Sequence, residues 1–287
     1  MLQDSAIYLA AVVSVLLSVA GFLHLLPKLG KVGGSIGAKL QHAPGLDVMV
    51  TIFTVLPWLV GAILYGWTGF FAGLVGQVVT LQIWCILHEL AHRSVVKGPR
   101  ILKVLNSRVG RFRNHLAVWI TTLAVPVFWL ARLTEWIVYP PLVLLVRFPS
   151  YNQKEWVNIS RQKFEGLVGW DLIWCLYCDW MTGIWSLGTE MLRNVESFWC
   201  PIRFDSTKKC ENCKIDFPDL ENGWVPADGN IADVADRLAE KYTDDPAQTY
   251  AWFGHESRKP CDGGAGCCER HDARAATGRA SCRRGLV

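Results

Sequence analysis

The chain has 287 residues, of which 51% are hydrophobic and 19% charged, with 14 tryptophans and a formal net charge of +4. That composition excludes an intrinsically disordered chain, which lacks apolar content. It also sits poorly with a single soluble domain, because the apolar residues fall in several runs of about 20, roughly the length that crosses a bilayer.

Residues 5–27, "SAIYLAAVVSVLLSVAGFLHLLP", form the first run. No basic stretch precedes it and no clear small-x-small cleavage site follows, so it reads as a retained transmembrane helix rather than a signal peptide. Runs at 48–66 and 69–90 follow, separated by the turn-like "GWTG". The stretch 116–146 is longer and interrupted by Arg132, Glu135 and "YPP". It reads either as one long span or as a span followed by a re-entrant or interfacial piece. Lys28, Lys31 and Lys39 lie between the first two runs, and "RSVVKGPRILKVLNSRVGRFRN" after the third carries seven basic residues and no acidic one. The bias of Lys and Arg toward the cytoplasmic side places both loops there and the N-terminus outside. Topology and anionic headgroups therefore account for the net charge, and no nucleic-acid partner is expected.

Residues 164–189, "FEGLVGWDLIWCLYCDWMTGIWSLGT", are dense in tryptophan yet contain Glu165, Asp171 and Asp179. Such a run is too polar for a lipid-exposed span and suits a helix packed on the bundle or lying in the interface. The tryptophans at 170, 174, 180, 185 and 199 fit interface anchoring. Glu190, Arg193 and Glu196 should pair along one helix face. Residues 200–230 should be irregular. Asn230 is then an N-cap for an amphipathic helix carrying Ile231, Val234, Leu238 and Tyr242 at helical spacing. From about Ser257 the tail has almost no large apolar residues and should be disordered. The expected fold is an all-α polytopic membrane protein with about four spans, with a fifth interfacial or re-entrant helix as the variant. A transmembrane helical domain (1–147) precedes a Trp/Cys-rich membrane-associated domain (148–256) and a tail (257–287).

The chemistry is concentrated in "HELAH", residues 88–92, at the end of the third run. On a helix His88 and His92 share a face, so both imidazoles can reach one zinc ion, with Glu89 as general base on a zinc-bound water. The alternative is a helix-end seam, with both histidines bonded to neighbouring carbonyls and Glu89 paired with an arginine of the basic loop. Arg93 stands where zinc peptidases prefer an uncharged residue. His115 and Glu165 are the candidates for a third ligand. The order "HELAH", apolar stretch 116–146, "SRQKFEGLVGWD" resembles the HtpX-like membrane zinc metallopeptidases, relatives of the CAAX prenyl proteases. That resemblance implies Glu165 as third ligand and Asp171 as the family's downstream aspartate. It covers residues 80–171. Site-2-type intramembrane proteases, the second comparison, imply Asp179 as third ligand, but their "LDG" motif is absent. A di-iron membrane desaturase or hydroxylase is disfavoured, since it needs about eight histidines in boxes and the chain has seven, none adjacent to another.

Cys200, Cys210 and Cys213, with Cys175 and Cys178 upstream, allow a second, structural zinc site through Cys-x-x-Cys knuckles. The alternatives are ordinary buried cysteines and a redox dithiol. No structural disulfide is expected if this half is cytoplasmic. The functional expectation is a zinc-dependent membrane metallopeptidase with His88, His92 and Glu165 as ligands and Glu89 as base. Its rival is a non-enzymatic membrane subunit or assembly factor whose Trp/Cys-rich C-terminal half binds a partner.

Overall fold

The computed structural model describes residues 2–206, 209, 214–242 and 248–255. Among them the regular structure is helical, and extended pairing is limited to two isolated bridges. Three stretches are long and apolar enough to cross a membrane: Gln3–Leu40, Leu56–Ala91 and Arg111–Val146. The chain divides into two compact units, residues 1–138 with 151–189, and residues 139–150 with the chain from 190 onward.

In the first unit, α1 (Leu2–Leu25) leads through α2 (Gly30–Leu40) into α3 (Gly45–Thr54) and α4 (Leu56–Ala91). As one straight rod, the 36 residues of α4 would reach about 54 Å, far beyond a hydrocarbon core of about 30 Å. The helix is instead broken at Gly66, whose φ of 60° and ψ of −144° suit a residue with no Cβ. This turn falls in the "GWTG" that separates the two apolar runs. The halves fold back on each other through glycines. A Cβ on Gly73 would meet the Pro57 carbonyl oxygen at 2.5 Å, and Gly61 and Gly69 abut backbone to backbone. Small residues that let backbones approach are the usual means of packing helices in lipid. Gln77 Nε2 donates to the Phe53 carbonyl at 2.9 Å, satisfying the freed end of α3. Along the hairpin runs α1, with Tyr8 against Gly61 and Val12 against Gly76.

Beyond it lie α5 (Arg93–Lys97), α6 (Ile101–Val109), α7 (Arg111–Thr121) and α8 (Val125–Ile137). A 3-10 turn at Thr122–Ala124 separates α7 from α8, next to Pro126, which lacks a backbone donor. The short α10 (Gln153–Trp156) is held against the α2–α3 connection, where Ala43 N–H donates to Val157 O and Ile159 N–H to Gln41 O, both at 2.9 Å. α11 spans Trp170–Trp199, and its first twenty residues belong to this unit. They pack along α7 and α8: Trp170 meets His115 at a centroid distance of 5.0 Å, Trp180 meets Trp129 at 5.4 Å, and Tyr177 Oη donates to Thr121 O. Of the five tryptophans assigned to the interface, Trp170 and Trp180 are buried and Trp185 and Trp199 are exposed.

The second unit contains α9 (Tyr139–Val146), the end of α11, α12 (Leu220–Gly223) and α13 (Ile231–Lys241). Its core gathers Phe217, Leu220 and Trp224, with Phe204 and Phe253 packed against them. Asp219 organises that core: Oδ2 accepts from Trp224 Nε1 and from Phe253 N–H, each at 3.1 Å. Burial pushes the Asp219 carboxyl above its ordinary 3.8, and these two donors only partly offset it. Asn230 caps α13 in a reciprocal box with Asp233, as its position before the periodic run predicts. Glu190 and Arg193 pair at 2.7 Å. The tail expected to be disordered lies outside the described residues.

Candidate functional site

The site is built where α4 ends. His88 and His92 face the same way because they are one helical turn apart, and their rings stack at a centroid distance of 4.4 Å, with Trp84 stacked on His88 at 4.6 Å. His24, near the end of α1, stands edge-on to both, at 6.1 and 6.4 Å. This third imidazole was missed from sequence. Its position at the end of the first run, predicted to lie on the same membrane side as "HELAH", was the available signal.

The hydrogen bonds assign the ring protons. His92 Nδ1 lies 2.9 Å from the His88 carbonyl, which can only accept, so the proton is on Nδ1 and the Nε2 lone pair is free. His88 is the reverse: its Nδ1 accepts from the Gly169 backbone N–H at 3.1 Å. A neutral ring that accepts at Nδ1 carries its proton on Nε2. Neither His88 nitrogen then offers a free lone pair to a metal, whereas His92 does.

Glu89 is occupied as well. Its Oε1 lies 2.8 Å from Arg100 Nη1 as an ion pair whose geometry makes no hydrogen bond, and Arg100 donates from Nε to Asp171 Oδ2 at 2.8 Å and from Nη2 to Val168 O at 3.0 Å. Asp171 Oδ1 in turn accepts from Leu102 N–H at 3.0 Å. The Arg100 and Asp171 side chains are 3% and 5% exposed, and that of Glu89 is 27% exposed. Burial opposes the Arg100 charge, but its two carboxylates outweigh burial and the guanidinium pKa is raised. Gly169 completes the contact. Its φ is +53°, and a Cβ there would lie 2.5 Å from Glu89 Oε1, so only glycine lets the backbone approach.

The other candidates are placed as follows. Glu165 is exposed, in a turn after the 3-10 helix Arg161–Lys163 rather than on a helix. Asp171 is the partner of Arg100. His115 Nε2 accepts from Trp119 Nε1 at 3.1 Å. Asp179 accepts from the backbone N–H groups of Ser160 and Arg161, at 2.7 and 3.0 Å. Cys200 is a free, exposed thiol, while Cys175 and Cys178 are half-buried on α11. Burial raises the Cys175 thiol pKa, which makes it a poor nucleophile at neutral pH. Cys210 and Cys213 lie outside the described residues. Among the described residues, no group of three histidine, cysteine, aspartate or glutamate side chains is arranged to hold a metal ion. Comparison with protein-family models, curated proteins and solved structures finds no match.

Proposed function

We propose that this chain is a non-enzymatic integral membrane subunit or assembly factor, and that its His-Glu-x-x-His stretch is a structural clamp. The observation that carries this reading is the Glu89–Arg100–Asp171 chain of charges. It ties the end of α4 to the basic loop and to the start of α11, and it engages the carboxylate that a peptidase would need as its base. The His88 tautomer supports the same reading, because a zinc ligand must present a lone pair. In this account both basic loops face the cytoplasm, the N-terminus lies outside, and the clamp stands at the cytoplasmic face. The second unit supplies the docking surface for a partner, and Trp199 and Ile202 are among its exposed apolar side chains.

The second reading is a zinc metallopeptidase of HtpX-like type. It is favoured by the convergence of His24, His88 and His92. It requires the His88 ring to give up its bond from Gly169 and Glu89 to leave Arg100. The two readings part on Glu89→Gln. A clamp loses stability when the charge goes. A hydrolytic centre that holds a carboxylate for catalysis keeps its stability and loses turnover. Unfolding of the purified variant in detergent distinguishes them, and unchanged stability would sink the clamp.

A further inference from the structure

A second set of charges lies in the first unit, apart from the clamp. Arg132 on α8 is fully buried, and its guanidinium meets two carboxylates: Asp47, in the first turn of α3, and Glu135, one turn along α8. Asp47 takes a fork-on-fork pair, Nε to Oδ1 at 3.1 Å and Nη2 to Oδ2 at 2.8 Å. Glu135 Oε2 accepts from Nη1. Gln153 Oε1, on α10, accepts from Nη2 at 2.9 Å and from Trp136 Nε1 at 3.1 Å, and the Trp136 ring lies under the guanidinium. Asp47 and Glu135 are 1% and 2% exposed. This burial is by protein, so lipid would only deepen it.

One positive charge facing two negative ones leaves an excess charge of −1 in the interior. Among the described residues, the charged and polar groups gathered at the cluster are Asp47 from α3, Gln153 from α10, and Arg132 and Trp136 from the same helix as Glu135. Against its second oxygen, α11 offers Gly188, where an added Cβ would sit 3.7 Å from Oε1 and which has no side chain to donate. Among the described residues, Glu135 Oε1 is buried and has no hydrogen-bond partner. An uncompensated buried charge costs far more than an unpaired hydroxyl, because the charge loses its whole solvation and the hydroxyl only one bond.

We propose that the Asp47–Arg132–Glu135 cluster is a proton-binding site, with one proton carried on Glu135 Oε1 at neutral pH. The fork-on-fork pairing at Asp47 is the stronger of the two, so the proton goes to Glu135. Glu135 keeps its bond from Arg132 through Oε2 as a neutral acid, and the cluster sums to zero charge. A proton held between α3, α8 and α10 makes this the place where the membrane unit takes up or releases one.

Infrared spectroscopy of the full chain in lipid nanodiscs reads the proton through the C=O stretch of a protonated carboxyl, isolated by subtracting variant from wild type. At neutral pH the wild type should show this band, shifted in D₂O, and Glu135→Gln should abolish it. Glu135→Gln should also retain wild-type thermal stability, since the amide resembles the neutral acid. Asp47→Asn should abolish the band although Glu135 is intact, because one carboxylate then faces one guanidinium and ionises. That readout does not depend on comparing stabilities. A wild type without the band, or a band indifferent to both substitutions, would overturn the proposal. So would neutralisation by an alkali cation, seen as no band together with a stability that depends on Na⁺ at constant ionic strength.

Discussion

Replacing Arg100 with methionine keeps much of the aliphatic stem and removes the charge on which the clamp depends. Asp171, 5% exposed at its side chain, would retain only its bond from Leu102 N–H. Glu89, 27% exposed, would be partly rehydrated and lose less. Breaking a buried ion pair on one side typically costs 3–5 kcal/mol, so with the Glu89 share discounted Arg100→Met should cost about 3 kcal/mol. Glu89→Gln alone should cost about 1 kcal/mol, as the loss of a half-screened pair. In the Arg100→Met background the same change removes an orphaned carboxylate and should cost nothing, giving a coupling of about 1 kcal/mol. Reversible unfolding in mixed micelles, followed by circular dichroism, measures all three. An Arg100→Met protein within about 0.5 kcal/mol of wild type, or strictly additive effects, would refute the clamp.

Gly169→Ala should destabilise by about 2 kcal/mol, combining the left-handed backbone with a methyl pressed on Glu89; the same unfolding assay measures it. Asp219 gives a pH dependence of definite sign. Its folded pKa is raised above 3.8, so the native state holds the proton more tightly than the unfolded chain. Its contribution is fully present below 3.8 and is lost as pH rises through the folded value. Asp219→Asn should remove that slope, and identical pH–stability curves for variant and wild type would contradict it. Reporter fusions at residues 40 and 105 should both read as cytoplasmic; opposite signals would overturn the proposed orientation.

What was legible in the sequence was local. The turn at Gly66 follows from "GWTG" between two apolar runs, and the Asn230 cap from an acceptor side chain set before a 3.6-residue period. Charge sign was legible too, since a basic loop beside an acidic residue at a helix end makes a pairing with Glu89 natural. Which of seven basic residues would pair was not, because Arg100 is selected by Val168 and Asp171, 68 and 71 residues further along. The Asp47–Arg132 pair is separated by 85 residues, and nothing periodic announces it. Sequence marked Arg132 and Glu135 only as interruptions of an apolar stretch. His24 escaped for a related reason: a lone histidine at the end of a span gains meaning only once α1 is known to run beside α4.

The most direct test is the zinc content of folded wild-type protein, purified in detergent without chelators or affinity histidines. The clamp account predicts no stoichiometric zinc, with Glu89→Gln and His92→Ala acting through stability alone. One zinc per chain, retained in Glu89→Gln and lost in His92→Ala, would contradict it and assign the stretch to a hydrolytic centre.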